Sequence, residues 1–187
     1  MRLFLAVELS SEVVQALARA TAALRAEMPT LRWVPPERCH LTVKFLGDLP
    51  ESRMERMVAM SNAVAGAHRP LTMQLGGVGA FPNFQGARVV WIGVEHDARL
   101  ELLHHDVEMA SGEEGLELEG RAFRPHVTLA QVRTPLVEHE GLRLARVAQA
   151  IDFSATQEVV AISLFESMLA PTGATYRRVH AATLGGR

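Results

Sequence analysis

The chain has 187 residues, which is enough for one domain with a buried core or for two small lobes that share a core. Hydrophobic residues make up 48% of it and charged residues 21%, and these proportions exclude a chain that stays disordered for lack of apolar side chains. The net charge of -2 excludes a protein that coats nucleic acid through a broad excess of cations. A small nucleotide or an RNA end, held by a few local cations, is compatible with it.

Cysteine content and hydropathy indicate where the protein works. Cys39 is the single cysteine and cannot form an internal disulfide, which predicts a reducing compartment. No stretch approaches the roughly 18 or more uninterrupted apolar residues of a membrane span. The N-terminal segment becomes acidic at Glu8, which is too early for a signal peptide. We therefore expect a cytoplasmic protein without a membrane span, and we expect it to be a monomer.

The first half of the chain predicts three strands separated by two helices. Ser10 and Glu12 supply the cap and the early acid of a helix that Pro29 ends. Prolines 35 and 36 predict an extended approach to the next strand, because each fixes its own φ and disfavours helix in its predecessor. In order, the predicted elements are a strand at residues 3–9, a helix at 10–28, a strand at 39–46, a helix at 51–67 and a strand at 71–75.

The second half predicts more strands, some of them joined by short connections. Gly76, Gly77 and Gly79 predict a turn after the third strand. Short connections imply antiparallel pairing, so the predicted fold class is α+β, with antiparallel sheets and flanking helices. The remaining predictions are a loop at 81–86, strands at 88–94 and 123–132, helices at 97–109 and 142–150, a polar connection at 112–120, a brief strand from residue 153, and strands at 159–168 and 176–184.

The two halves of the chain carry the same short pattern. Residues 39–43 and 125–129 each place His-x-Thr inside an apolar strand, and each follows an approach that contains proline. The two histidines, His40 and His126, are separated by close to half the length of the chain. This weak internal duplication predicts pseudo-twofold symmetry.

Strand alternation assigns polar residues to one face of each His-x-Thr strand. Successive side chains of a strand point to opposite faces, so residues two apart share a face. One face of each strand is then apolar, with Cys39, Leu41, Val43 and Phe45 on it in the first strand. The opposite faces carry imidazole, hydroxyl and cation: His40, Thr42 and Lys44 in the first strand, and His126, Thr128 and Arg124 in the second.

This set of side chains is suited to a phosphodiester. In-line displacement at phosphorus needs a group that takes a proton from the attacking oxygen and another that gives one to the leaving oxygen. Imidazole titrates near pH 6.5, so His40 and His126 can share these two tasks at neutral pH. The hydroxyls of Thr42 and Thr128 and the nearby cations can hold the non-bridging oxygens. We predict no metal and no cofactor, because neither histidine face offers an acidic or sulfur ligand and Cys39 points away.

The sequence resembles the two-histidine phosphoesterases, and within them the RNA 2′,3′-cyclic phosphodiesterases, also called 2′-5′ RNA ligases. Residues 40–47 (HLTVKFLG) and 123–129 (FRPHVTL) are similar to the paired motifs of that family. The segments RLFLAV at 2–7, RWVP at 32–35, GAFP at 79–82 and LFES at 164–167 resemble it too. The resemblance covers nearly the whole chain.

The resemblance implies a single bilobal domain over residues 1–187, with two antiparallel sheets and the histidines in a central cleft. It implies metal-independent opening of a terminal 2′,3′-cyclic phosphate on RNA, such as a tRNA fragment, to a 2′-phosphate. His40 would protonate the departing 3′ oxygen and His126 would activate water. With an RNA 5′-hydroxyl in place of water, the reverse reaction is 2′-5′ ligation. Many relatives carry Arg where this chain has Gln131, and Arg133 is expected to substitute for it.

Several other residues have competing interpretations. Phe4 and Phe84 are predicted to stack an RNA base, although core packing is the commoner role for a residue such as Phe4. Trp91 is predicted to lie in the core. Arg177 and Arg178 are expected to be solvated surface residues. The run His104-His105-Asp106 suggests a metal site, but adjacent helical residues do not share a face, so we expect these side chains on the surface.

Two alternative functions stay open at this point. One is a phosphodiesterase that acts on a small cyclic nucleotide or on ADP-ribose cyclic phosphate instead of RNA. The other is a non-catalytic module that binds RNA ends. A complete pair of titrating imidazoles argues against the second alternative, because binding alone needs cations and hydrogen-bond donors but no acid and base.

Overall fold

In the computed structural model, residues 1–170 and 173–186 are described, and their strands form one antiparallel sheet with helices packed on it. Every strand pairing is antiparallel, as the short connections predict. The strands are β1 (Arg2–Glu8), β2 (Arg32–Trp33), β3 (His40–Asp48), β4 (Leu71–Phe81), β5 (Val89–Val94), β6 (His126–Gln131), β7 (Ser154–Val159), β8 (Ala161–Ala170) and β9 (Gly173–Thr183). The helices are α1 (Ser11–Ala20), α2 (Ala22–Glu27), α3 (Met54–Ala67), α4 (Ala98–Glu113) and α5 (Glu138–Gln149).

The sheet consists of two halves that meet at β3 and β6. The strand order is β7-β4-β5-β6-β3-β1-β8-β9, and β2 pairs with β6 beside the main path. The two halves are joined through one register pair, Leu41 opposite Val127. The two predicted antiparallel sheets are therefore the halves of one sheet with a narrow junction. The two halves are related by the predicted pseudo-twofold symmetry, in which β3, β1, β8 and β9 correspond to β6, β5, β4 and β7.

The helices connect the two halves as well as covering them. Helix α4 follows β5 in one half of the sheet but packs against β3 and α3 in the other. Helix α1 follows β1 and packs against β7, again in the opposite half, while α2 packs against α5. Each half of the sheet is thus covered partly by a helix that follows a strand of the other half. Within the described residues, no helix has the length and apolar character to cross a membrane.

Local sequence explains where the first helices begin and end. The Ser10 hydroxyl caps α1 by accepting a hydrogen bond from the backbone N–H of Val13 at 3.3 Å. The single helix predicted at 10–28 is in fact two, because the chain leaves helical geometry at Thr21. The Thr21 hydroxyl donates to the backbone oxygen of Leu17 at 2.8 Å, a bond that bends helices.

The glycine-rich segment after residue 75 is not the predicted turn. Strand β4 continues through it to Phe81, and its pairing with β5 shifts by one residue between Gly76 and Val78. Gly77 absorbs this β-bulge in the left-handed region, with φ of +67°. The glycines therefore lengthen a bent strand instead of ending it.

A bulge in β3 and a matching one in β6 change which side chains lie on the same face of the strand as the histidines. In β3, Ala6 pairs with Thr42 but Leu5 pairs with Lys44, which leaves Val43 as an extra residue. In β6, the pairing with β5 shifts in the same way after Thr128. The first six residues of both strands consequently share one burial pattern, in which the fifth is buried and the sixth is exposed.

The prediction that Lys44 shares the face of His40 and binds substrate is wrong. The bulge turns Lys44 to the core side of the sheet, where it is 1% exposed, and turns Phe45 outward to 56% exposure. The Lys44 ammonium donates to Glu108 Oε1 of α4 at 2.7 Å and to the backbone oxygen of Glu117 at 3.0 Å. The one lysine of the chain therefore ties β3 to α4 and to the segment that leads toward β6.

We predict that Lys44→Met destabilises the protein by about 3–5 kcal/mol, because it leaves the buried Glu108 carboxylate without its cation. Urea denaturation measures the change. The control is the double variant Lys44→Met/Glu108→Met, which removes both charges and should recover most of the lost stability. Equal stability of the single variant and the original protein would contradict the assignment.

Candidate active site

The β3–β6 junction brings the two His-x-Thr motifs onto one surface. With Leu41 opposite Val127, the same antiparallel register sets His40 across from Thr128 and Thr42 across from His126. These four half-buried side chains lie on the face opposite the buried Leu41 and Val127, and we call this surface the histidine face. Diagonal neighbours in a regular antiparallel ladder have Cβ atoms about 7–8 Å apart, which leaves room for a phosphate between two imidazoles.

Both imidazoles are oriented by a hydrogen bond to a backbone carbonyl oxygen two residues earlier. His40 Nδ1 lies 2.8 Å from the backbone oxygen of Arg38, and His126 Nδ1 lies 2.7 Å from the backbone oxygen of Arg124. A carbonyl oxygen only accepts, so each Nδ1 carries a proton and donates it. The Nε2 atom of each ring is therefore the one that can take or give a proton. Tautomer and ring orientation are thus set before any substrate binds.

His40 is surrounded by aromatic rings. Phe4 stacks on it at 5.1 Å between ring centroids, Phe165 lies parallel at 6.2 Å, and Tyr176 meets it edge-on at 5.2 Å. Burial among these rings lowers the pKa of His40, although its bond to the Arg38 carbonyl and the charge of Glu8 act in the opposite direction. The free protein therefore holds His40 mainly as neutral imidazole at neutral pH.

The prediction that Phe4 stacks an RNA base is wrong. Phe4 is 2% exposed, and its ring stacks on His40 at 5.1 Å and on Phe165 at 5.3 Å. The buried Phe4 ring packs against the His40 imidazole and is not accessible to an RNA base. Phe84, the other residue predicted to stack a base, is half-buried and packs against the core, and its contact with RNA stays a prediction. Its loop lies against α5, with the Phe84 backbone next to Gly141.

His126 has a more open environment than His40. Phe81 meets its ring edge-on at 5.0 Å, and Trp91 lies at 6.5 Å. Beside it is a cavity of about 400 Å³, which we call the Trp91 cavity. It is lined by Phe81, Trp91, Gly93, Val94, His96, Asp97, Leu100, Glu101, Phe123, Arg124, Pro125 and His126. The prediction that Trp91 lies in the core is therefore wrong, since the ring is half-buried and forms a cavity wall.

The predicted arginines differ in their relation to this site. Arg124 is exposed and lines the Trp91 cavity together with His126, and its substrate contact stays a prediction. Arg133 is exposed beyond the end of β6, and its substrate contact stays a prediction. Arg177 and Arg178 are exposed, as predicted, and pair with carboxylates: Arg177 with Glu166 at 2.6 Å and Arg178 with Glu8 at 3.1 Å.

Sequence reasoning missed the rings that surround the two histidines. Phe45 reaches the histidine face only because of the bulge, and its ring lies 5.9 Å from that of Phe4. Phe165 and Tyr176 come from β8 and β9, far from His40 in sequence. The resembling segments that contain Phe81 and Phe165 were a usable signal, because each phenylalanine flanks one histidine.

A second polar cluster lies on the other side of β3. Ligand atoms of His104, Glu108 and Glu119 fall within 4.8 Å of one another. The Lys44 ammonium already supplies a positive charge there through its bond to Glu108. The prediction that His104 is on the surface is wrong: it is 8% exposed and stacks on Phe123 at 3.9 Å. The cluster packs against the segment before His126 through the stack of His104 on Phe123.

Known proteins resemble the chain over its full length. The family model of the 2′-5′ RNA ligase superfamily matches residues 10–167. An RNA 2′,3′-cyclic phosphodiesterase of Thermus thermophilus is 34% identical, with 100% of this chain and 91% of that protein covered. Another of Geobacillus stearothermophilus is 37% identical over 68% of this chain but only 41% of its own length. The crystal structure of TT0787 of Thermus thermophilus superimposes with a TM-score of 0.80 at 31% identity, covering 100% of this chain and 99% of that one.

We predict that the His40 ring titrates below its ordinary pKa of about 6.5 in the free protein, since burial disfavours its charged form. In Tyr176→Ala, water reaches the ring and the pKa rises toward the ordinary value. NMR titration of the histidine ring signals measures both. Tyr176→Phe keeps the ring and is the control, and identical titration in all three proteins would contradict the proposed effect of burial.

Proposed function

The chain belongs to the 2′-5′ RNA ligase superfamily, and from this premise we propose that it hydrolyses RNA 2′,3′-cyclic phosphate ends to 2′-phosphomonoesters. The observation that carries the proposal is the matched pair of imidazoles, each with Nδ1 bonded to a backbone carbonyl two residues earlier and with Nε2 unpartnered within the described residues. The relatives named RNA 2′,3′-cyclic phosphodiesterases support the substrate class. With an RNA 5′-hydroxyl as the nucleophile in place of water, the same site performs 2′-5′ ligation.

The reaction follows from in-line geometry at phosphorus. His126 Nε2 takes a proton from water as the water oxygen bonds to phosphorus. The bond from phosphorus to the 3′ oxygen breaks, and His40 Nε2 gives its proton to that oxygen. The products are a 2′-phosphomonoester and a free 3′-hydroxyl. Proton exchange with solvent then restores both histidines.

Other side chains of the histidine face stabilise charge during this step. Thr42 and Thr128 lie across from the opposite histidines and can donate to the non-bridging oxygens. Arg124 supplies the nearby cation in place of Lys44, which is buried. A bound phosphodiester anion favours the imidazolium form and so raises the pKa of His40, offsetting the effect of burial in the free protein.

The proposal includes one two-lobed catalytic domain over residues 1–187, acting as a monomer in the cytoplasm. Packing of α4 on β3 and of α1 on β7 supports a single domain, since each half of the sheet is covered by a helix from the other. The buried thiol of Cys39, the single cysteine of the chain, is compatible with a reducing compartment.

We predict that His40→Ala and His126→Ala each lower kcat/KM by about 10²–10⁴, because each removes one proton-transfer partner. The assay uses an oligonucleotide with a 2′,3′-cyclic phosphate and identifies which phosphomonoester forms. His139→Ala, which removes an exposed histidine of α5, is the control and should leave the rate unchanged. Near-original activity in either active-site variant, or release of a 3′-phosphate, would overturn the proposal.

EDTA should leave the hydrolysis rate unchanged, because imidazoles and hydroxyls provide acid, base and charge stabilisation in this mechanism. The rate is measured after dialysis against the chelator and again after adding back Mg²⁺ or Zn²⁺. A rate that falls with EDTA and recovers with a metal ion would refute acid–base catalysis by the two histidines alone.

A further inference from the structure

The two histidines differ in what lies beside them, and this difference has a chemical consequence. His40 is packed among Phe4, Phe165 and Tyr176, whereas His126 opens onto the Trp91 cavity. In the proposed function, the attacking oxygen enters on the His126 side and the leaving oxygen departs on the His40 side. Whatever carries the attacking oxygen therefore lies next to this cavity. Water does not need a cavity of about 400 Å³.

We propose that the Trp91 cavity is the acceptor subsite for ligation and binds the terminal nucleoside of an RNA with a free 5′-hydroxyl. This inference rests on the proposed function, because it uses the same histidines with a different nucleophile. It adds a binding site for a second RNA end, separate from the end that carries the cyclic phosphate.

The size and lining of the cavity suit a nucleoside. Its volume falls in the range of small-ligand pockets, roughly 300–1,000 Å³. Phe81 and Trp91 lie 5.0 Å apart and present aromatic surface beside His126, which is the surface on which single-stranded bases stack. Phe123 forms another wall, and His104 covers one face of its ring at 3.9 Å. These rings are fixed by the protein before a base arrives.

The backbone leaves space for the Trp91 ring. Gly79 lies directly across from Trp91 in the β4–β5 ladder. A Cβ at Gly79 would come within 2.1 Å of the indole Cη2 atom, so a side chain there would displace the ring. The position equivalent to Trp91 in the other half of the sheet is Ala6, which is fully buried. The large ring is therefore a feature of the His126 side alone.

Polar groups of the cavity favour a 5′-hydroxyl end over a 5′-phosphate. Arg124, next to His126, is placed to contact the backbone phosphate that follows the terminal nucleoside. The carboxylates of Asp97 and Glu101 also line the cavity; Asp97 is paired with Arg99 at 2.8 Å, and Glu101 lies 3.3 Å from His96. The negative charge of these carboxylates disfavours a terminal phosphate dianion.

The joining step balances without any further reactant. His126 Nε2 takes the proton of the 5′-hydroxyl as its oxygen forms a bond to the phosphorus of the cyclic phosphate. The bond from phosphorus to the 3′ oxygen breaks, and this oxygen takes a proton from His40 Nε2. The product is a 2′-5′ phosphodiester beside a free 3′-hydroxyl, and solvent exchange restores both histidines.

Binding can be tested on the unmodified protein, because its two tryptophans report separately. Trp33 Nε1 donates to the Met28 backbone oxygen at 2.9 Å, whereas Trp91 Nε1 has no partner within the described residues. A 5′-hydroxyl adenylyl dinucleotide is titrated in while the indole N–H signals are followed by NMR, with Trp33→Phe used for assignment. We expect the Trp91 signal to shift and saturate while the Trp33 signal stays still. No shift of the Trp91 signal at millimolar dinucleotide would overturn the acceptor subsite.

Function is tested by filling the cavity away from the histidines. Val94→Trp places a ring in the cavity wall, and Leu102→Trp, on an exposed position of α4 that does not line it, is the matched control. Each protein receives a 2′,3′-cyclic phosphate oligonucleotide with excess 5′-hydroxyl RNA, and joined and hydrolysed products are counted. We expect the ratio of joined to hydrolysed product to fall on the order of 10–100-fold in Val94→Trp, the range for one lost base stack, and to stay constant in the control.

The outcomes separate the inference from the proposed function. If the unmodified protein does not hydrolyse the cyclic phosphate, the proposed function fails. If it hydrolyses but forms no joined product with saturating 5′-hydroxyl RNA, or if the ratio is unchanged in folded Val94→Trp, only the acceptor subsite fails. The NMR titration decides the question if Val94→Trp does not fold.

Discussion

The contact between β3 and β6 is the interaction on which the site depends. Within the described residues, one register pair, Leu41 opposite Val127, joins two half-sheets that are also held together by helices crossing between them. Because both residues are fully buried, the side chains next to them along each strand turn to the opposite face. That geometry puts two histidines and two threonines on one surface. A slip of one residue in this register would bury the histidines and expose the core.

The bulges in β3 and β6 decide which other side chains lie on the histidine face. Each bulge comes immediately after the threonine, so the alternation is reset at the same place in both strands. In β3 this sends Lys44 inward to Glu108 and brings Phe45 to the surface. A buried ammonium needs such a partner, because desolvation of an unpaired charge is costly. The cation of the first motif therefore has a structural role, while Arg124, outside the bulged segment, lines the cavity beside His126.

The two halves share a backbone plan but differ in their side chains, and the difference suits an asymmetric reaction. Each histidine is oriented by a carbonyl two residues earlier. His40 is then enclosed by rings, which lowers its pKa, whereas His126 has open space beside it. In the proposed mechanism the leaving oxygen departs on the enclosed side, and the open side has space for either water or a larger nucleophile. A symmetric scaffold thus supports two distinct chemical roles.

The sequence by itself determined most of the element types, the two His-x-Thr strands and the family, because these depend on local patterns and spaced motifs. Alternation also assigned His40, Thr42, His126 and Thr128 to common faces, since no bulge precedes them. Only the tertiary structure decided the positions of Lys44, Phe4 and Trp91. A bulge is a property of two paired strands, and neither strand's own sequence specifies it. Likewise, the rings around His40 come from β1, β8 and β9, and a cavity exists only where separate elements do not fill the space between them.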